Sequence, residues 1–191
     1  MYATKPIVFR PLREEETECR VGRVIYTEKY KGIVLLLYKN ARADMAILDE
    51  TVGCTTWQRE QYEVKGNLFC RVGINVNRDS SNPLWVWKSD CGVESNTEAQ
   101  KGESSDSFKR ACVNWGIGRE LYTAPDIMIK DCNLTDTGRK DKYGKPIYTC
   151  YDKFTVRKLV VDNGRIVTLV IWNDKLRKFV YEYGTDYNGN L

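Results

Sequence analysis

The chain has 191 residues, 42% apolar and 29% charged, with 30 basic against 26 acidic side chains and a net charge of +4. That is one large domain, or one domain with an added lobe, able to bury a sizeable core, and no apolar run approaches the ~18 residues of a membrane span. Histidine is absent and the seven cysteines stand singly, without a CxxC pair. This excludes Cys–His catalysis and His-containing zinc sites, and predicts reduced, mostly buried thiols.

Residues 1–18 read as an extended arm, with Pro6, Pro11 and the acidic run Glu14 to Glu16. Its acidic side chains are expected to form a solvated run or to dock on a neighbouring subunit. The N-terminus lacks the order of basic, apolar and small residues of a signal peptide, so a soluble protein of the cytoplasm is expected. Two strand-like runs follow, Cys19 to Tyr26 and Gly32 to Tyr38, joined by a basic loop with Lys29, Tyr30 and Lys31. Asn40 then caps a helix in which Ala41, Met45, Leu48 and Val52 form an apolar stripe that ends at Gly53. Arg42 lies off that stripe and lines a groove or faces solvent.

Trp57 to Val64 reads as a strand, and Leu68 to Val76 as another, from strict alternation. The segment RDSSNP turns the chain into LWVWKSD. Next comes the element around which the chain is organised. Asn96 and Thr97, with Gln100 three residues after Thr97, start a helix. Phe108, Ala111, Cys112 and Trp115 make its apolar stripe, and Gly116 and Gly118 stop it. Lys109 lies about 100° round from Phe108 and Arg110 about 200°, so two adjacent cations are held beside a packed face. Pro125 breaks the chain, residues 131–146 read as a long surface loop, and a β-meander follows. Its strands are Tyr148 to Val161, Arg165 to Trp172 and Leu176 to Tyr183, with turns at Asn163-Gly164 and Asn173-Asp174. The class is α+β, divided as an arm (1–18), a core (19–124) and a loop with the meander (125–191).

The charge of +4 is too small to identify a nucleic-acid binder, but residues 20–88 hold 11 basic and 7 acidic side chains. The segments ARADMAILDETVGCTTW and SSDSFKRACVNWGIGRELY, separated by a strand pair, resemble phage single-strand annealing proteins of the Rad52 type (Sak-like) and, more distantly, the eukaryotic recombination mediators of that type. The likeness covers roughly residues 32–122. It implies a β-β-β-α core assembled into rings or open arcs. Single-stranded DNA lies in a basic groove around the oligomer, where complementary strands are paired without ATP, other cofactor or metal. By position, Lys109 and Arg110 match the basic doublet of the groove helix and Tyr38 an aromatic on the strand entering the short helix. Lys29 or Lys31 stands for a basic side chain before that strand. Arg119 either joins the groove or binds helix-end carbonyls. A phage exonuclease or a host single-strand-binding protein is the further partner such a protein implies.

The residues support this independently. Annealing needs a strand held by its phosphates with its base edges free, and a ring repeats a few cations per chain into a high effective concentration. The chain has no GxxxxGK[ST] loop. Two alternatives stay open: a single-stranded nucleic-acid binder without annealing activity, and a Mg-dependent nuclease using Glu63 and Lys65 with Asp44 or Asp49.

Overall fold

The computed structural model describes residues 6–78, 81–93 and 99–184. They form the α+β arrangement expected, mostly antiparallel sheet with two helices. The chain divides into two compact units interleaved in sequence. One holds the chain up to Leu12 with Lys39–Arg119, the other Arg13–Tyr38 with the chain from Glu120 onwards. These units do not follow the three consecutive segments read from the sequence, because the two early strands join the late ones in a single sheet.

In the first unit, α1 (Ala41–Val52) starts where Asn40 Oδ1 accepts from the Arg42 and Ala43 amides, and ends at Gly53. Three antiparallel strands follow in the order β3 (Trp57–Val64), β4 (Asn67–Asn75), β5 (Trp85–Cys91). Lys65 and Gly66, with φ of 53° and 78°, make the two-residue turn between β3 and β4. Period-two alternation puts Cys70, Val72 and Ile74 on one face, all fully buried. On that sheet packs α2 (Ala99–Trp115), whose Phe108, Ala111 and Cys112 are fully buried. The Trp115 indole donates to the Val72 carbonyl at 2.9 Å, and Glu103 Oε1 accepts from the Leu68 amide at 2.9 Å. The expected cap at Asn96 and Thr97 lies outside the described residues.

The buried face of α1 differs from the expected stripe. Ala43, Asp44, Ile47, Leu48 and Val52 are buried, while Ala41 and Met45 are half-buried. The inward face passes through Asp44, a carboxylate that an apolar pattern cannot include.

In the second unit, six strands run in the order β11-β10-β9-β1-β2-β6: β1 (Thr17–Tyr26), β2 (Lys31–Lys39), β6 (Ile127–Ile129), β9 (Phe154–Asp162), β10 (Arg165–Asn173) and β11 (Lys178–Tyr183). The last three form the expected meander except at its start: β9 begins at Phe154 rather than Tyr148, because residues 146–150 pair elsewhere. Asn163 and Gly164 turn at φ of 47° and 73°. Its core includes Ile33, Leu35, Ile129, Leu169 and Ile171. Asp152, itself buried, receives Asn133 N at 2.8 Å and Asn173 Nδ2 at 3.0 Å.

Two readings are corrected. Residues 131–146 are not a long loop, since β7 (Leu134–Lys140) and β8 (Pro146–Cys150) pair there as an antiparallel hairpin. The acidic run is not merely solvated. Glu14 Oε1 accepts from the Leu159 amide at 3.2 Å and Glu16 from the Arg13 amide at 2.8 Å. In the first unit, Arg10 of the arm pairs with Glu50 and Leu12 is buried.

Candidate nucleic-acid interface

The first unit is pinned by a buried ion pair. Lys39, at the end of β2, donates from Nζ to Asp44 Oδ1 and, at 2.7 Å, to the Ile117 carbonyl just past α2. Lys39 is buried and Asp44 wholly so. Gly118 makes room: a Cβ there would stand 2.7 Å from Lys39 Cδ, and its φ of +71° suits glycine. Burial pushes the Asp44 carboxyl up to about 6, against the attraction of Lys39 and, more weakly, Lys109. Among the described residues, Asp44 Oδ2 has no hydrogen-bond partner.

The Lys109–Arg110 doublet is divided between two surroundings. Lys109 is only 18% exposed, stands 4.0 Å from Asp106 Oδ1 on its own helix, and acts electrostatically on Asp44 of α1. Arg110, 43% exposed, donates from Nε to Asp90 Oδ1 of β5 at 3.4 Å. The helical rotation of about 100° between neighbours sends them to different flanks. Arg119 donates to the Val113 and Asn114 carbonyls at 3.0 and 3.2 Å, satisfying acceptors that a helix end leaves open. Lys88 of β5 also donates to the Asn114 carbonyl, at 2.9 Å, with its ammonium 4.6 Å from the Trp115 ring centroid. Sequence reasoning missed Lys88.

Arg42 is exposed on the first turn of α1 and shares a shallow depression with Arg59 of β3 and Ser104 and Ser105 of α2. The Arg59 guanidinium carbon lies 4.8 Å from the Phe108 ring centroid. Arg59 was also missed, although it sits two residues from Trp57 on the side of β3 that alternation turns toward α2.

The second unit holds the remaining candidates. Tyr38 is half-buried, with the Arg20 guanidinium 4.7 Å from its ring centroid. Lys29 is exposed in the turn from Thr27 to Tyr30. The Lys31 ammonium is 4.8 Å from the Tyr26 ring centroid, and Tyr26 stacks on Tyr148 at 3.7 Å. Lys29, Lys31 and Lys145 line one open pocket there.

A family model described as "Rad52/22 family double-strand break repair protein" matches residues 36–137, more than half of the chain. The chain belongs to the Rad52/22 family. This membership associates it with DNA repair and recombination and with single-strand annealing. The Rad52/22 segment contains both helices and the β3-β4-β5 sheet, with Tyr38, Arg42, Arg59, Lys109, Arg110 and Arg119 inside it. Lys29, Lys31 and the meander lie outside. No curated protein and no solved structure matches the chain.

The carboxylates weighed for a nuclease have other surroundings. Asp44 is paired inside with Lys39, Asp49 accepts from the Trp57 indole at 2.6 Å, and Glu63 is exposed on β3. Among the described residues no three His, Cys, Asp or Glu side chains are grouped to hold a metal. The described cysteines are all free, and burial raises the thiols of Cys19, Cys70 and Cys112. No helix of the described residues is long and apolar enough to cross a membrane.

Proposed function

We propose that this chain binds single-stranded DNA by its phosphates and promotes annealing of complementary strands without nucleotide hydrolysis. It acts as an oligomeric ring or arc built on a β-β-β-α core, in phage recombination in the cytoplasm of a bacterial host, and it is not an enzyme. The observation that carries this reading is the placement of Arg42, Arg59, Lys109 and Arg110 on one compact unit, inside the segment that matches the family. Those cations lie on helix and strand surfaces rather than in an enclosed cavity, which suits a strand gripped by its backbone with its base edges free.

Lys109 and Arg110 each face a carboxylate, so one protomer is a weak binder. Repetition of the unit around an oligomer raises the effective concentration of each successive contact. A phage exonuclease or a host single-strand-binding protein is the partner that would supply or hand over the strands.

Complementary fluorescent oligonucleotides mixed with the protein, in the absence of ATP and Mg²⁺, test the reading. Pairing well above the spontaneous rate is expected, together with a native mass of many protomers. Bound protein with pairing at the spontaneous rate leaves a plain single-strand binder, and strand cleavage on adding Mg²⁺ makes the protein a nuclease.

A further inference from the structure

Four stretches of the first unit converge on a depression of about 360 Å³: the cap Asn40, the first turn of α1 with Arg42, β3 with Arg59, and α2 with Ser104 and Ser105. Among the described residues no carboxylate lines it. Neither Arg42 nor Arg59 has a carboxylate partner among the described residues, and the Ser105 hydroxyl has no hydrogen-bond partner there, whereas Ser104 Oγ already accepts from Gln61 Nε2 at 2.5 Å. Two uncompensated guanidiniums and a spare hydroxyl around one hollow make a site for an anion.

The geometry narrows the anion. Arg59 lies against the fully buried Phe108, so the ring holds the guanidinium while its donors remain available. A guanidinium fixed in this way loses little freedom on gripping two oxygens of a phosphate. Among the described residues the apolar lining is limited to Ala41 and Met45, with no aromatic face on which a base could stack. The hollow is at the small end of ligand sites and open, which suits a segment of a continuing chain better than an enclosed small molecule. One turn of α2, about 6 Å along the axis, separates Ser105 from Lys109.

We infer that this depression seats one phosphodiester of single-stranded nucleic acid, gripped by Arg59 and completed by Arg42 and Ser105, with Lys109 placed for a neighbouring phosphate. The inference rests on the DNA-binding reading above and adds Arg59 and Ser105 to it.

The test compares wild type with Arg59→Met, which keeps cover on Phe108 but removes the charge, and Arg59→Lys, which keeps the charge but not the fork. Arg71→Gln is the control, since Arg71 pairs with Glu60 and lies over Trp87. Binding to an oligothymidylate is followed against salt. Arg59→Met should lower affinity about tenfold and flatten the salt slope by about 0.7, one phosphate contact. Arg59→Lys should keep the slope while losing affinity, and Arg71→Gln should change neither. An unchanged slope in Arg59→Met with wild-type thermal unfolding overturns the seat while leaving DNA binding in place. In a second arm, inorganic phosphate is titrated while the Ser105 amide and arginine Nε signals are followed by NMR. Saturable shifts in wild type that vanish in Arg59→Met support the seat, and no shift in wild type overturns it. If wild type binds phosphate there but no oligothymidylate, the DNA-binding reading fails and the nucleic-acid occupant fails with it.

Discussion

Lys39 Nζ and Asp44 Oδ1 form an ion pair inside the first unit, and among the described residues Asp44 Oδ2 has no hydrogen-bond partner. The pair holds Lys39, just before the cap of α1, to the buried face of that helix, and the bond from Lys39 to the Ile117 carbonyl ties it to the segment after α2. A buried pair of this kind is costly to break and adds little net stability, because desolvation offsets most of the attraction. Asp44→Leu should therefore destabilise by about 3–5 kcal/mol by leaving a buried ammonium, and Lys39→Met by a similar amount. The double variant should recover most of the loss. Urea unfolding of the three variants measures this, and additive losses in the double variant would show that the two charges do not act as a pair.

The same carboxyl gives stability a pH dependence opposite to that of Asp152. Burial raises Asp44 from 3.8 to about 6, so between those values the folded chain holds a proton that the unfolded chain has released. Its contribution is present below about pH 4 and is lost as pH rises through 6. Asp152 is also subject to burial, which works to raise it, but the bonds from Asn173 and Asn133 prevail and its pKa is lowered. Its contribution is present above the unfolded value of about 4 and is lost as pH falls through the folded one. Unfolding profiles from pH 3 to 7 should lose the decline between 4 and 6 in Asp44→Asn, and the acid-side loss in Asp152→Asn.

How far these features could be read from the sequence depends on whether a residue follows local pattern. Alternation over Leu68 to Val76 located β4 at Asn67–Asn75, and the Asn163-Gly164 turn placed the β9–β10 hairpin. The β7–β8 hairpin escaped because nearly all of β7 is exposed and polar, so no alternation marks it. The pairing of β1 with β9 joins strands more than a hundred residues apart, which is decided by tertiary packing rather than by any window of sequence. At the candidate site, the helix periodicity found Lys109 and Arg110 but not their separation onto different flanks, since that depends on where Asp44 and Asp90 lie. Arg59 was hidden in a strand whose period assigns a side but not a neighbour.

Arg119 should prove structural. Its guanidinium satisfies the Val113 and Asn114 carbonyls at the end of α2, and losing such hydrogen bonds costs on the order of 1 kcal/mol. Arg119→Ala is expected to lower the unfolding midpoint and to leave the salt slope of oligothymidylate binding unchanged. A slope reduced by about 0.7 with wild-type stability would place Arg119 on the DNA instead.

The division of the doublet predicts different effects for its two members. Lys109 is mostly covered and shares its surroundings with Asp106 and Asp44, so Lys109→Ala removes one phosphate contact and also leaves those carboxylates less compensated. It should flatten the salt slope by about 0.7 and lower stability as well. Arg110 is more exposed, and its pair with Asp90 is worth only about 0.2–1 kcal/mol. Arg110→Ala should flatten the slope by the same amount with little change in unfolding. Neutralising the competing carboxylate gives the reciprocal result: Asp90→Asn removes an anion beside Arg110 and should tighten single-strand binding a few-fold at low salt, an advantage that fades as salt is raised. Weaker binding by Asp90→Asn with an intact fold would mean that Asp90 orients Arg110 toward the strand rather than competing with it.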